Sequence, residues 1–204
     1  MNALTRGGAR MLACVLLALA PLVAPAEEPG PRFNAAGELL RPGDYAEWVF
    51  LTSGLGMTYG PNGPDASGPP AFDNAFVNPA AYKAFRQSGR WPEGTMFVLE
   101  IRASEENASI NNGGRTQGAM RAMEVAVKDT TRYPDGGWAY FSFDGPDGLK
   151  AATAPFPRTA SCYSCHSKHA AVEWTFTQFY PRLFEVAKQK GTVRADYDPA
   201  AKAR

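Results

Sequence analysis

Thr95-Met96-Phe97-Val98-Leu99-Glu100-Ile101-Arg102-Ala103 is the stretch that decides the fold. Thr95, Phe97, Leu99 and Ile101 fall on alternate positions, the period of a strand that presents one face to a core. Arg121–Lys128 repeats the alternation, with Met123, Val125 and Val127 on one face and Glu124 and Lys128 on the other. Trp138–Phe143 is a third candidate, bracketed by the turn signals Pro134-Asp135-Gly136-Gly137 and Gly145-Pro146-Asp147-Gly148. The link Ser104–Met120, with Asn111-Asn112-Gly113-Gly114, reads as a long hairpin connection, so the three strands are expected to be antiparallel.

Working outward, Asn78-Pro79 sets an N-cap before a proline at the first helical position, and Gly89 closes that helix. Asp44 and Glu47 have capping-box spacing, and Tyr45, Trp48, Val49 and Leu51 then favour a short amphipathic helix. Gly54 to Pro70 holds too many Gly and Pro residues for regular structure and reads as a loop. Towards the C-terminus, Ala170–Tyr180 and Arg182–Lys190 read as helices joined at Pro181. The expected class is α+β, a predominantly antiparallel β-sheet with flanking helices.

Between the last strand and these helices lies Cys162-Tyr163-Ser164-Cys165-His166, a CxxCH run. In this spacing two thiols add to the two vinyl groups of one haem and the adjacent imidazole is placed beneath the iron. The competing readings fit less well. A structural zinc site needs four Cys/His ligands, usually as separated pairs, and the only other histidine is His169, three residues on. A thioredoxin-like dithiol opens a helix after an early strand, whereas this pair sits late in the chain. A plain disulfide leaves His166 without a role.

Residues 1–26 have the form of a cleavable secretory signal: Arg6 and Arg10, an apolar run from Met11 to Ala20, then Ala24-Pro25-Ala26. The apolar run is broken at Pro21 and is too short to span a bilayer. Export to the periplasm suits the chemistry, because bacterial attachment of haem to CxxCH takes place outside the cytoplasm. Removal of this segment takes two positive charges from a formal net charge of +1 and leaves the remainder close to neutral. Nothing therefore points to nucleic acid or to an anionic membrane as partner. The organisation expected is a signal over 1–26, an extended lead-in over 27–43, a single c-type haem domain over 44–190 and a flexible tail over 191–204.

Small electron-carrying cytochromes are all-helical with an early CxxCH, and four-helix cytochromes need long helices that the Gly- and Pro-rich middle of this chain does not allow. The chain resembles the cytochrome P-460 family, which includes the cytochromes c′-beta. The matching stretches are Asn78-Pro79-Ala80-Ala81-Tyr82, Trp91-Pro92-Glu93-Gly94-Thr95, Val125-Ala126-Val127-Lys128-Asp129, Gly136-Gly137-Trp138-Ala139-Tyr140, the CxxCH itself and Phe176-Thr177-Gln178-Phe179-Tyr180-Pro181. They stand in family order across roughly residues 44–181. The resemblance implies one covalent haem c, held by Cys162 and Cys165, with His166 as proximal ligand of a five-coordinate iron. It also implies an open distal face for ligands such as nitric oxide or carbon monoxide, and often a homodimer. In the P-460 branch proper a lysine is bonded to the haem ring and the enzymes oxidise hydroxylamine. That lysine belongs near Leu99-Glu100, and this chain has none between Lys83 and Lys128, which turns the reading towards the c′-beta side.

Other residues carry two readings each. Phe97 and Leu99 are candidates to cap the distal pocket or to fill ordinary sheet core. Glu100 is a candidate proton carrier or a surface carboxylate, and Glu124 is read as solvated. Lys128 and Arg132 are candidates to pair with haem propionates or to sit solvated at a strand end. Arg115 and Arg121 are distal donors or loop salt-bridge partners. Met57, Met96, Met120 and Met123 are sixth ligands or core, and His169 has a surface role. Trp138, Tyr140, Trp174, Phe176 and Phe179 wall a haem crevice or fill the core. The function expected is a periplasmic mono-haem cytochrome that binds or detoxifies a small nitrogen-oxide ligand. The alternatives are a hydroxylamine or nitric oxide oxidoreductase and an electron carrier with a periplasmic redox partner.

Overall fold

The computed structural model of the protein describes residues 30–58, 68–106 and 109–200. The expected signal, residues 1–26, lies outside them. Five antiparallel strands form a meander in sequence order: β2 (Val49–Leu55), β3 (Phe72–Val77), β4 (Met96–Glu105), β5 (Thr116–Lys128) and β6 (Trp138–Ser142). A second, two-stranded sheet pairs β1 (Leu39–Leu40) with β7 (Ala152–Thr153). Three helices accompany them: α1 (Pro79–Ser88), α2 (Ser161–His169) and α3 (Pro181–Lys190). The class is α+β and mostly sheet.

The register fixes what each face carries. Phe97 pairs with Ala126, Leu99 with Glu124, and Ala75 with Leu99, so these side chains share one face. That face, with Val77, Trp138 and Tyr140, buries Phe85 of α1, Tyr163 of α2 and Leu183 of α3. The other face carries Met96, Val98, Met123, Val125 and Val127 and is covered by Leu39, with Phe33, Tyr45 and Trp48 packed alongside. Each layer buries aromatic and branched side chains whose removal from water contributes roughly 1.5–3 kcal/mol apiece.

Several local expectations are corrected. Residues 45–51 do not form a helix: Tyr45–Glu47 is one 3₁₀ turn with no side-chain cap at Asp44, and the strand begins at Val49. Pairing with β3 outweighs the capping-box spacing, because Val49 and Leu51 pack on one face while Phe50 meets Phe76 on the other. The strand β3 was not expected at all, and Asp73 and Asn74 within it are residues that strands disfavour. The hairpin connection is shorter than Ser104–Met120, since β4 runs to Glu105 and β5 starts at Thr116. Residues 170–180 are not helical, apart from a 3₁₀ turn at Thr177–Phe179. From residue 30 the lead-in is folded against the domain: Asn34 closes a turn by accepting from the Ala36 and Glu38 amides, and Leu39 of β1 is fully buried. The expected flexible tail is anchored as far as Tyr197, which packs edge-on to Phe184, while the Arg194 amide donates to the Ala171 carbonyl. Its last four residues lie outside the described part. Among the described residues no helix is long and apolar enough to cross a membrane.

Candidate haem site

α2 spans nine residues and brings the CxxCH side chains together. Cys162 and Cys165 are three apart and His166 is four from Cys162, so all three lie along one side of the helix. Both thiols are free and half-buried. Burial pushes both thiol pKa values up, so they are protonated at neutral pH and lack the activated thiolate of a redox dithiol.

His166 is fixed from three sides. Its ring lies 4.3 Å from Tyr140 and 4.3 Å from Phe176, centroid to centroid. Nδ1 stands 2.8 Å from the Trp174 carbonyl oxygen. A carbonyl only accepts, so Nδ1 carries the proton and Nε2 keeps its lone pair. Burial drives the imidazole pKa down to about 4, against the opposing pull of the bond to Trp174, and the ring is neutral at physiological pH. A neutral imidazole with one nitrogen hydrogen-bonded and the other free is the form a metal requires.

The three residues open onto a cavity of about 420 Å³. Phe176, Phe179, Tyr180 and Trp174 wall it from the segment after α2, and Phe156 and Ala160 from the segment before it. The sheet supplies the remaining wall with Ala75, Phe97, Leu99, Ala126 and Tyr140. Size and lining suit a large, flat, mostly apolar group. Two cysteines at the cavity edge beside a preset histidine fit haem.

Phe97 and Leu99, expected near the distal pocket, both line the cavity. Trp138 does not; it is core. Glu100 sits on the other side of the sheet and is corrected as a candidate. It is buried, accepts from Tyr45 Oη at 2.6 Å and Asn74 Nδ2 at 3.3 Å, and pairs with Arg102. Burial would raise its pKa, but these partners together hold it below the usual carboxylate range. The Lys128 ammonium, a candidate propionate partner, donates to the Trp91 carbonyl at 2.6 Å and to Glu173 at 3.1 Å. Arg132, the other propionate candidate, lies over the Phe33 ring at 4.1 Å and pairs with Asp129. Neither lines the cavity. Arg115 bonds Ser104 and Glu106 in the hairpin region. Met96 and Met123 are buried in the far-face core with Met120 packed against them. Met57 does line the cavity, with its sulfur seated over Gly54 of β2.

Glu124 was misread. It pairs across from Leu99, so the alternation that places it opposite Val125 turns it towards the cavity. Its carboxyl is accessible through the cavity, yet protein crowds it closely enough that burial, helped by Asp144 and Asp73, raises its pKa. Asp73 lines the same cavity and is raised by burial as well. Among the described lining residues these two acids face no lysine and no arginine.

A family model, Cytochrome P460, matches residues 42–177. The chain belongs to the cytochrome P460 family. It is therefore a haem-binding cytochrome, and the cavity beside α2 is where its sequence and geometry converge. A comparison with curated proteins finds no significant match. No sequence signal marks the Trp174 carbonyl as the partner of His166. Val172 to Thr175 form a turn closed by the Thr175 amide on the Val172 carbonyl at 2.8 Å, with positive φ at both central residues, 44° at Glu173 and 61° at Trp174. Such turns normally take Asn or Gly, and each such residue costs on the order of 1–3 kcal/mol.

Proposed function

We propose that this cytochrome P460 family member is an exported mono-haem c-type protein that binds small uncharged ligands such as nitric oxide, with detoxification of reactive nitrogen species as its role. Cys162 and Cys165 would hold the haem through thioethers, and His166 Nε2 would take the iron. A haem held there would supply an iron able to bind a π-acceptor diatomic. The observation that carries the reading is the pairing of a preset, neutral His166 with a sheet wall of Phe97, Leu99, Ala75 and Ala126. Those four side chains offer no ligand atom and set access by size.

The cavity's charge narrows the ligand class. Asp73 and Glu124 with no cation among the described lining residues disfavour anions and tolerate neutral molecules. Glu124→Gln in the ferric holoprotein is expected to tighten azide or nitrite binding on the order of tenfold, about 1.4 kcal/mol. Nitric oxide affinity of the ferrous form is expected to stay within about twofold, since no charge changes on the ligand. Equal shifts for anion and nitric oxide, or none, would overturn the charge argument.

A second reading, oxidation of hydroxylamine, is favoured by one observation: Glu124 is a carboxyl of raised pKa opening onto the cavity, suited to accept a proton from a bound substrate. Against it, no lysine is among the described residues lining the cavity. Hydroxylamine turnover with an artificial electron acceptor, abolished in Glu124→Gln, would establish this reading; no turnover in the native chain would remove it.

A further inference from the structure

The tight turn at Glu173-Trp174 breaks a local rule beside the iron's expected ligand, and the structure shows what holds it. The Glu173 carboxylate accepts from the Trp91 amide at 3.0 Å, from Lys128 Nζ at 3.1 Å and from Arg90 at 3.3 Å. Lys128 is itself pinned by the Trp91 carbonyl, so β5 and the segment before β4 act together as the anchor. On the other side of the turn the Trp174 indole packs onto Gly136, where a Cβ would come within 2.5 Å of the ring, and lies 5.6 Å from the Arg158 guanidinium. Thr175 completes the clamp by accepting from Trp91 Nε1 at 2.9 Å. Every one of these contacts fixes the backbone between Val172 and Thr175. The group that this backbone presents is the Trp174 carbonyl, which accepts from His166 Nδ1 and, at 3.3 Å, from Tyr140 Oη.

We propose that Glu173 is a positioning residue for the haem iron: its carboxylate, tied to Lys128 and the Trp91 amide, holds the left-handed Glu173-Trp174 turn that aims the Trp174 carbonyl at His166 Nδ1. A short bond there gives the imidazole more anionic character and makes Nε2 a stronger donor, which favours ferric iron. Lys128 thereby acts on the iron site from behind its histidine.

The inference rests on His166 as iron ligand, and the test separates the two. Resonance Raman spectra of the ferrous holoprotein report the iron–histidine stretch, and a redox titration reports the potential. In Glu173→Ala the stretch is expected to move to lower frequency and the potential to rise. Glu173→Asn, a residue that tolerates the left-handed turn but cannot anchor it, is expected to behave as Glu173→Ala does. Lys128→Met, which loosens the same anchor from β5, moves both readouts in the same direction. Glu173→Asp restores part of each shift. A band that stays at the native frequency in Glu173→Ala and Lys128→Met, or a native band in Glu173→Asn, would overturn the positioning role. A native ferrous protein that is high-spin and yet shows no iron–histidine band would overturn the ligand assignment, and the inference with it.

Discussion

Glu124 and Glu100 sit on neighbouring strands with pKa values displaced in opposite directions, and their consequences differ in sign. Glu124 is raised, so its ionisation penalises the folded state at every pH above its folded pKa, and the penalty disappears in acid where both states are protonated. Glu124→Gln is therefore expected to raise the melting temperature at pH 7 and to leave it unchanged near pH 3.5, well below the ordinary glutamate value of about 4.3. Glu100 is lowered, so it contributes stability above about pH 4.3 that is lost as pH falls through its folded value. Glu100→Gln should cost about 1–3 kcal/mol at pH 7, moderated by the partial exposure of Arg102, and should flatten the acid limb measured by urea unfolding. That these two glutamates would have opposite environments was not legible in the sequence. Alternation separated Glu124 from Val125, but only the pairing of Leu99 with Glu124 shows which face the cavity occupies.

At the scale of elements, β4, β5 and β6 were legible because alternating apolar residues and strong turn signals agree there. α1 was legible from Pro79 at its start and Gly89 at its end; α3 was legible over Arg182–Lys190, although Pro181, expected to join two helices, opens it, and Gly89 and Gly191 are both in the left-handed conformation. β2 and β3 were hidden, since Asp44 and Glu47 mimic a helix start and Asp73 and Asn74 depress strand propensity; Asn74 is instead stabilised by Gln117 at 2.7 Å and Ser53 at 2.8 Å. The segment after α2 was misread as helix because its conformation is imposed by contacts with Trp91, Lys128 and Gly136, all distant in sequence. Gly136→Ala tests this imposition. At φ 81° and with Trp174 in the way, it should destabilise by about 1–3 kcal/mol in chemical denaturation, whereas Gly113→Ala, with open space around it, should cost far less.

For the whole molecule, one face of the meander is closed by the N-terminal segment and the small second sheet, and the other is left to the three helices and the cavity. Haem held by Cys162, Cys165 and His166 would bridge α2 to the sheet, so its loss is expected to lower the stability of the entire domain. Replacing both Cys162 and Cys165 by Ala is expected to abolish covalent haem, read as an intact-protein mass without the added cofactor, and to lower the melting temperature. The CxxCH motif was the most legible feature of the site, because its chemistry is local. The cavity walls were the least legible, because they are assembled from β2 to β6 and the segments flanking α2. The most direct test of the central claim is the optical spectrum of the ferrous holoprotein before and after carbon monoxide. A high-spin c-type spectrum that shifts with carbon monoxide is expected for an open iron held by His166. A low-spin spectrum that carbon monoxide leaves unchanged would place a sixth protein ligand on the iron and contradict the account.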